Sequence, residues 1–416
     1  MHVLVVPSER YVPKDDPLKG IFQRDQAQAL RRGGVRVGVI SPQLRSLRMF
    51  GKGWTETPGG HKEEDDQGIP VFAYHSWDWI PYLRYGKRWL WLRVGMALFK
   101  KYVGQEGNPD LIHAHNAESA GILAFRIKRL SNIPYVLTEH SSAYASKGIH
   151  ALEIPAIREA FRGAEHRLVV SPHLGHILQE VIGDSVCPWE WVPNVLDDLF
   201  ERGGYTRPNR AEQEGPFLFL HVGALIEVKG QENLLCAFAE QFRGEREVLL
   251  RIGGDGPLRK KLEALAKELG IADQVTFLGE LRREQVLTEM QACSAYVHAS
   301  HYETFGTTLI EALSCGKPVI STSCGGPESI VQNTDGILVP PNDFKALGKA
   351  MAMVRENGER YEAASIRKDC IKRFGRDTLV NHLSAVYQTV MSSRSNRTVA
   401  LIPQADTFNG KNGERV

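Results

Sequence analysis

Residues 295–313 read Ala-Tyr-Val-His-Ala-Ser-His-Tyr-Glu-Thr-Phe-Gly-Thr-Thr-Leu-Ile-Glu-Ala-Leu. The apolar start, 295–298, has the length and character of a short buried strand, and the run after Gly306 has helical spacing. A polar loop joins them. Strand, loop and helix in that order make one unit of a parallel sheet covered by helices, and the same alternation extends outward in both directions. In the second half the other strand candidates are 217–222, 248–252, 275–278 and 319–321; in the first half they are 2–6, 35–40, 111–114, 135–138 and 168–170. The chain is therefore α/β throughout, with two sheets of one type. Residues 199–215 between them are rich in Gly, Arg, Pro and Glu and poor in apolar side chains, as linkers are. Two such units in tandem predict a ligand cleft at the carboxyl ends of their strands.

Bulk properties agree with a folded, two-domain chain. At about 150 residues per domain, 416 residues suggest two or three domains. Apolar residues make up 42% and charged residues 24%, which excludes a disordered or fibrous chain. The 51 Lys and Arg exceed the 49 Asp and Glu by only two, so no nucleic-acid partner is expected from bulk charge. Six scattered cysteines form no Cys-x-x-Cys pair, which argues against a zinc site or a disulfide framework and for a reducing, cytoplasmic setting. No stretch reaches the 18 or so apolar residues of a spanning helix, and residues 1–7 lack the basic start of a signal peptide.

The chemistry concentrates where the opening stretch turns into a helix. The first amides of that helix, from Thr307, Thr308 and Leu309 after Gly306, are expected to lack internal partners and to point the positive end of the dipole at a phosphate. Glu311, one turn further, offers two acceptor oxygens that suit a vicinal diol such as a ribose. Glu303, in the loop, faces the sugar side. Glu303 and Glu311 stand eight apart, with Phe305-Gly306 between them, and in this the chain resembles family 4 glycosyltransferases, the retaining GT-B type of bacterial polysaccharide biosynthesis. Further likeness lies in Ile252-Gly-Gly-Asp255-Gly-Pro257, Val275-Thr-Phe-Leu-Gly279, Gly316-Lys-Pro-Val-Ile320, Gly325-Gly-Pro-Glu328 and Pro340-Pro-Asn-Asp343. Looser likeness in the first half lies in Asp110-Leu-Ile-His113, Thr138-Glu-His140, Val170-Ser171 and Val192-Pro-Asn194.

The resemblance implies a GT-B architecture: an acceptor-side Rossmann-like domain (1–198), a linker (199–215) and a nucleotide-sugar domain (216–375). A helix (376–391) returns to the first domain, and 392–416 form an unstructured tail. It implies transfer of a hexose from a nucleotide-diphosphate sugar, UDP-sugar by default, to a glycan or lipid-linked glycan with retained configuration. Lys229 is then the cation against the departing diphosphate, Glu311 the ribose ligand, and Glu303 and His140 the groups that orient the sugar. Gly20 is the remnant of a glycine-rich turn that meets the phosphates across the cleft, and the base is read through backbone groups near Leu281. No cofactor or metal is expected, because a lysine and helix amides carry the phosphate charge.

One departure stands out. The family motif commonly places an arginine after the first glycine of Gly223-Ala-Leu-Ile-Glu-Val-Lys-Gly230, where this chain has Ala224. Either Arg282, Arg283, Lys19 or another basic group replaces it, or one lysine and helix amides hold the diphosphate. This keeps open a non-catalytic nucleotide- or glycan-binding scaffold, or an epimerase or phosphorylase on the same fold. His113 and His115, two apart on a strand end, share one face and read as packed, hydrogen-bonded histidines.

On the acceptor side, residues 77–102 hold four of the seven tryptophans, with six basic residues against the one acid Asp78. Such a mixture suits either an anionic membrane surface, making the protein peripheral on the inner face of the membrane, or a helix packed on the first sheet. The run 62–66, Lys-Glu-Glu-Asp-Asp, reads as a solvated loop.

Overall fold

The computed structural model describes residues 1–11, 20–46, 60–78, 84–146, 148–205 and 215–399. Its first sheet contains β1 (His2–Val6), β2 (Arg36–Ser46), β3 (Gly60–Asp65), β4 (Pro70–Asp78), β5 (Leu111–His115), β6 (Tyr135–Glu139), β7 (His166–Val169) and β8 (Glu190–Trp191), in the order β3-β4-β2-β1-β5-β6-β7-β8. Every pair is parallel except β3 on β4. Its helices are α1 (Ile21–Arg32), α2 (Arg84–Glu106), α3 (Ile122–Ser131), α4 (Ile154–Gly163) and α5 (Pro172–Ile182). A short helix, α6 (Asp198–Gly203), leads into the second sheet.

The second sheet is wholly parallel. Its strands are β9 (Phe217–Val222), β10 (Val248–Gly253), β11 (Val275–Gly279), β12 (Ala295–His298), β13 (Val319–Thr322) and β14 (Gly336–Val339), ordered β11-β10-β9-β12-β13-β14. The helices are α7 (Gln231–Phe242), α8 (Arg259–Glu268), α9 (Arg283–Ala292), α10 (Thr307–Ser314), α11 (Phe344–Glu356) and α12 (Ala363–Phe374). These are the two Rossmann-like sheets of an α/β, GT-B fold. Strands such as β1 and β12 are buried along their whole length, which is why they read as unbroken apolar runs rather than as alternating ones.

The last helix, α13 (Arg376–Val399), leaves the second unit and packs on the first. Leu379, Val380, Leu383, Tyr387 and Val390 recur at helical spacing and share one core with Val3, Val5, Leu30, Val37 and Leu111. The helix continues through residues 392–399, where an unstructured tail was expected. No Gly or Pro interrupts that stretch, and the modest propensities of Ser and Asn do not by themselves end a helix. Residues 400–416 lie outside the described ones.

Two other expectations need correction. The acidic run is not a loop: residues 62–65 belong to the edge strand β3, whose charges blunt an otherwise open edge. Asp66 is buried, accepting from Tyr11 Oη at 3.0 Å and from both ends of the Arg24 guanidinium at 2.9 and 2.6 Å. The linker begins as helix α6, because Asp197 caps it by accepting from the Leu199 amide at 2.7 Å while Phe200 is fully buried. Residues 206–214 of it lie outside the described ones.

Replacing Leu383 by Ala removes a fully buried side chain from the α13 seam and should destabilise the protein by about 2–5 kcal/mol, read as a lower urea midpoint of the first domain.

Candidate functional site

A cavity of about 440 Å³ lies between the two units. It is walled by the turns that follow β9, β10 and β11 and by the N-terminus of α10, with α1 of the first unit opposite. Open α/β sheets bind ligands at such carboxyl ends. Two helix N-termini therefore meet across one space, Ile21 and Phe22 from α1 and Thr307 and Thr308 from α10.

Each terminus is shaped by a left-handed glycine. Gly306 caps α10 at φ 103°, and Gly20 caps α1 at φ 66°, where an added Cβ would also lie 2.7 Å from Cβ of Glu9. Among the described residues the Thr307 and Thr308 amides donate to no backbone carbonyl. Leu309 differs from expectation, since its amide already donates to the Gly306 carbonyl at 2.9 Å. The first turn of α10 closes tightly enough to use that donor, and the Leu309 side chain is core.

Glu311 lines the cavity and is only 7% exposed. Burial pushes its carboxyl pKa up to about 7, partly opposed by Arg283 Nη2 at 3.6 Å. Arg283 also binds Asp25 of α1 at 3.0 Å and Asp197 at 2.9 Å. Asp25, likewise buried, is raised to about 6. One guanidinium thus serves three carboxylates. Arg283 is consequently not free to replace the missing arginine at Ala224, which lines the same cavity. Arg282 sits at the exposed start of α9, bonded to Gln285, and Lys19 lies outside the described residues. Leu281 borders the cavity as well.

Lys229 and Glu303 form a second locus. They lie in the loops after β9 and β12 and are joined by a 2.7 Å ion pair, Lys229 Nζ to Glu303 Oε2. Burial works against the Glu303 charge, but His298, 3.5 Å away, and Lys229 outweigh it and hold the carboxyl well below the usual range. The Gly306 turn places this pair next to α10, with Glu303 Cγ 3.6 Å from where a Gly306 Cβ would sit. Neither residue lines the cavity itself.

His140 follows β6. Its amide donates to Asn116 Oδ1 at 2.8 Å, and its ring packs 4.8 Å from Phe22, which does line the cavity. Its Nε2 lies 2.9 Å from Nδ1 of His115. His113 is packed and bonded as expected, to Tyr387 and Thr138. Asp25, Phe22 and the His115–His140 pair are absent from the candidates read from the sequence. Only the nearness of Phe22 and Asp25 to Gly20 could have pointed to them.

In the 77–102 stretch, Trp91, Phe99 and Tyr102 belong to the core, while Trp89 is half exposed under the Arg93 guanidinium at 4.9 Å. Trp79 and Tyr82 lie outside the described residues. Among the described residues no helix is long and apolar enough to cross a membrane, and no three His, Cys, Asp or Glu side chains cluster as a metal site.

Because the folded pKa of Glu311 is raised, its contribution to stability is fully present below the unfolded value near 4.5 and is lost as pH rises through about 7. Glu311→Gln should therefore match the wild type in melting temperature at pH 4 and exceed it at pH 8, by about 1–3 kcal/mol in unfolding free energy.

The family model for glycosyl transferases group 1 matches residues 206–369, and that for Glycosyltransferase Family 4 matches residues 21–198. A glycogen synthase of Mycobacterium tuberculosis is 25% identical over 71% of this chain and 72% of its own length. A candidate teichuronic acid biosynthesis glycosyltransferase of Bacillus subtilis, TuaC, is 28% identical over 85% of this chain and 87% of its own. In fold, the chain is similar to the sucrose-phosphate synthase of Thermosynechococcus elongatus, with a TM-score of 0.74 at 19% identity, 94% of this chain and all of that one being covered. Anabaena HepE, solved with UDP, gives 0.71 at 19% identity and the same coverage. With both family models accounting for nearly all of the two sheet units, and the GT-B fold around their shared cleft, the chain belongs to the family 4-type glycosyltransferases.

Proposed function

We propose that the protein is a retaining hexosyltransferase that takes its sugar from a nucleotide diphosphate, UDP by preference, and passes it to a glycan or lipid-linked glycan in cell-surface polysaccharide synthesis. The observation that carries this reading is the meeting of two helix N-termini from opposite units beside a buried carboxylate and a paired lysine. The ribose diol would donate to Glu311. The diphosphate would lie against the Ile21, Phe22, Thr307 and Thr308 amides, with Lys229 stabilising the charge that grows as it leaves.

In the transfer, the bond from the anomeric carbon to the β-phosphate oxygen breaks, and a bond to the acceptor hydroxyl oxygen forms on the same face. The hydroxyl proton passes to the departing phosphate, so no separate nucleophile is required. Glu303 and His140 orient the sugar. Charge stabilisation falls to the amides and Lys229, so we assign no metal or other cofactor. The preference for UDP is supported by the likeness to HepE, solved with UDP and with UDP-glucose, and the polysaccharide assignment by the names of the teichuronic acid and glycogen relatives.

A lipid-linked acceptor is favoured by the outer side of α2. It has no acidic residue before Glu106 and exposes Arg93 and Lys100 together with Trp89. The exposed Leu152 is carried close to it by the Arg88–Glu153 ion pair at 3.6 Å. Tryptophan and basic side chains together suit an anionic bilayer surface, which would place the enzyme peripherally on the cytoplasmic membrane face.

Calorimetric titration with UDP, GDP and ADP in EDTA should show selective binding of one nucleotide, weakened about ten- to a hundredfold in Lys229→Ala and Glu311→Ala. Absence of binding to all three would sink the enzyme's donor site and favour a scaffold. Co-sedimentation with phosphatidylglycerol vesicles should be strong in the wild type, fall in high salt, and be lost in Trp89→Ser/Arg93→Glu. Equal sedimentation of both proteins would remove α2 from the acceptor reading.

A further inference from the structure

The described histidines include one pair whose protons are coupled. His115, at the end of β5, is fully buried; His140, just after β6, is partly exposed. The β5–β6 register sets His115 opposite Thr138, two residues before His140, and the rings meet with His115 Nδ1 2.9 Å from His140 Nε2. On its other side His115 stacks on His113, ring centroids 4.6 Å apart and 17° from parallel. Two nitrogens of the pair, His115 Nε2 and His140 Nδ1, are buried and have no hydrogen-bond partner among the described residues. Asn194 lies beside His140 and eases its protonation, without meeting Nδ1 in hydrogen-bond geometry. Burial keeps both rings neutral, lowering His140 to about 3 and His115 well below its ordinary value.

A neutral pair sharing one hydrogen bond has two tautomeric arrangements. In the first, His115 Nδ1–H donates to His140 Nε2, His115 Nε2 is a bare acceptor, and the second proton sits on His140 Nδ1. In the second, His140 Nε2–H donates, His115 Nε2 carries a buried hydrogen with nothing to receive it, and His140 Nδ1 is bare. Each arrangement leaves one buried N–H and one buried acceptor unpaired, so what separates them is which ring carries the unpaired hydrogen. The first puts it on His140, whose ring is the less buried of the two, packs on Phe22 of the cavity wall and has Asn194 beside it, and the second on His115, which is fully buried.

We propose that His115 is a positioning residue: by donating to His140 Nε2 it fixes the tautomer in which His140 presents a hydrogen-bond donor, not an acceptor, to the sugar of the nucleotide donor. This rests on the reading of His140 as a sugar contact. A sugar hydroxyl or a phosphate oxygen can accept from such a donor, whereas a phosphate oxygen could not satisfy a bare nitrogen.

The tautomer can be read in the free protein by long-range proton–nitrogen-15 correlation of the histidine rings, with His140 assigned through its loss in His140→Gln. The expected wild-type signature is a protonated Nδ1 and a bare Nε2. His115→Asn, whose amide nitrogen can take the place of Nδ1 and donate, should preserve it; His115→Leu should shift His140 to the other tautomer or to a mixture. A protonated Nε2 in the wild type, or an unchanged His140 in His115→Leu, would overturn the proposal. Calorimetry with UDP and UDP-glucose supplies the second readout. The extra affinity contributed by the glucose should fall about tenfold in His115→Leu and be restored in His115→Asn, with UDP affinity unchanged. If the Leu and Asn variants fall together, His115 is structural only. If His140→Ala itself keeps the glucose increment, it is the sugar-contact reading that fails, and the role of His115 with it.

Discussion

Arg283 is the cation that ties the two units together beside the cavity. It stands at the start of α9 in the second unit, yet its guanidinium holds Asp25 of α1, Asp197 of the crossover and, more loosely, Glu311 of α10. Removing such a partner from a buried ionic cluster costs about 3–5 kcal/mol, because the remaining charges are left uncompensated. Here three carboxylates would be left facing one another. The upward shifts of Asp25 and Glu311 already express that crowding: burial and mutual repulsion favour keeping a proton in the cluster. The contact between α1 and the second unit and the ionisation of Glu311 are thus governed by one side chain.

This arrangement leaves little free positive charge for a diphosphate. Arg283 is committed, Ala224 offers none, and Lys229 is neutralised by Glu303 in the free protein. On the proposed function the amides at the starts of α1 and α10 would supply what remains, and unlike a lysine they cannot be titrated or drawn away by a neighbouring acid. An incoming diphosphate would compete with Glu303 for Lys229 while Glu303 keeps His298 nearby. Holding the lysine in place before the ligand arrives is the preorganisation that electrostatic catalysis needs. On the proposed function, the pair would be a cation stored in position for the ligand.

What could be read from the sequence was local. The strand, loop and helix of residues 295–314, the capping Gly306 and the Glu303–Glu311 spacing are all set within one stretch of chain, and the periodicities of 2 and 3.6 identify its elements directly. Leu309 failed because whether a first-turn amide is free depends on how tightly that turn closes, which composition does not encode. Asp25 was invisible because its partner lies 258 residues away and a lone acid on a helix reads as a solvated face. The edge strand β3 was missed because its charges, sensible at a sheet edge, look like those of a loop. The His115–His140 pair needed the β5–β6 register, which no single strand reveals.

The chain crosses between the units twice, and the crossings are stitched together. The Leu196 amide donates to the Phe374 carbonyl at 2.8 Å, and the Arg376 amide donates to the Glu201 carboxylate at 3.0 Å. Two crossings at one place restrict relative motion to a pivot there, whereas a single linker would allow the units to drift. Contacts away from the pivot must then decide how far the cleft closes: Arg283 with Asp25 on one side, and the Ser171 hydroxyl donating to the Thr304 carbonyl at 2.7 Å on another. Thr304 adjoins Glu303, and Asp25 shares a helix with Phe22, so each closing contact is one or a few residues from a group assigned to the donor. On the proposed function a bound nucleotide sugar and domain closure would act on the same short segments, which is how binding energy can be turned into alignment of the reacting groups.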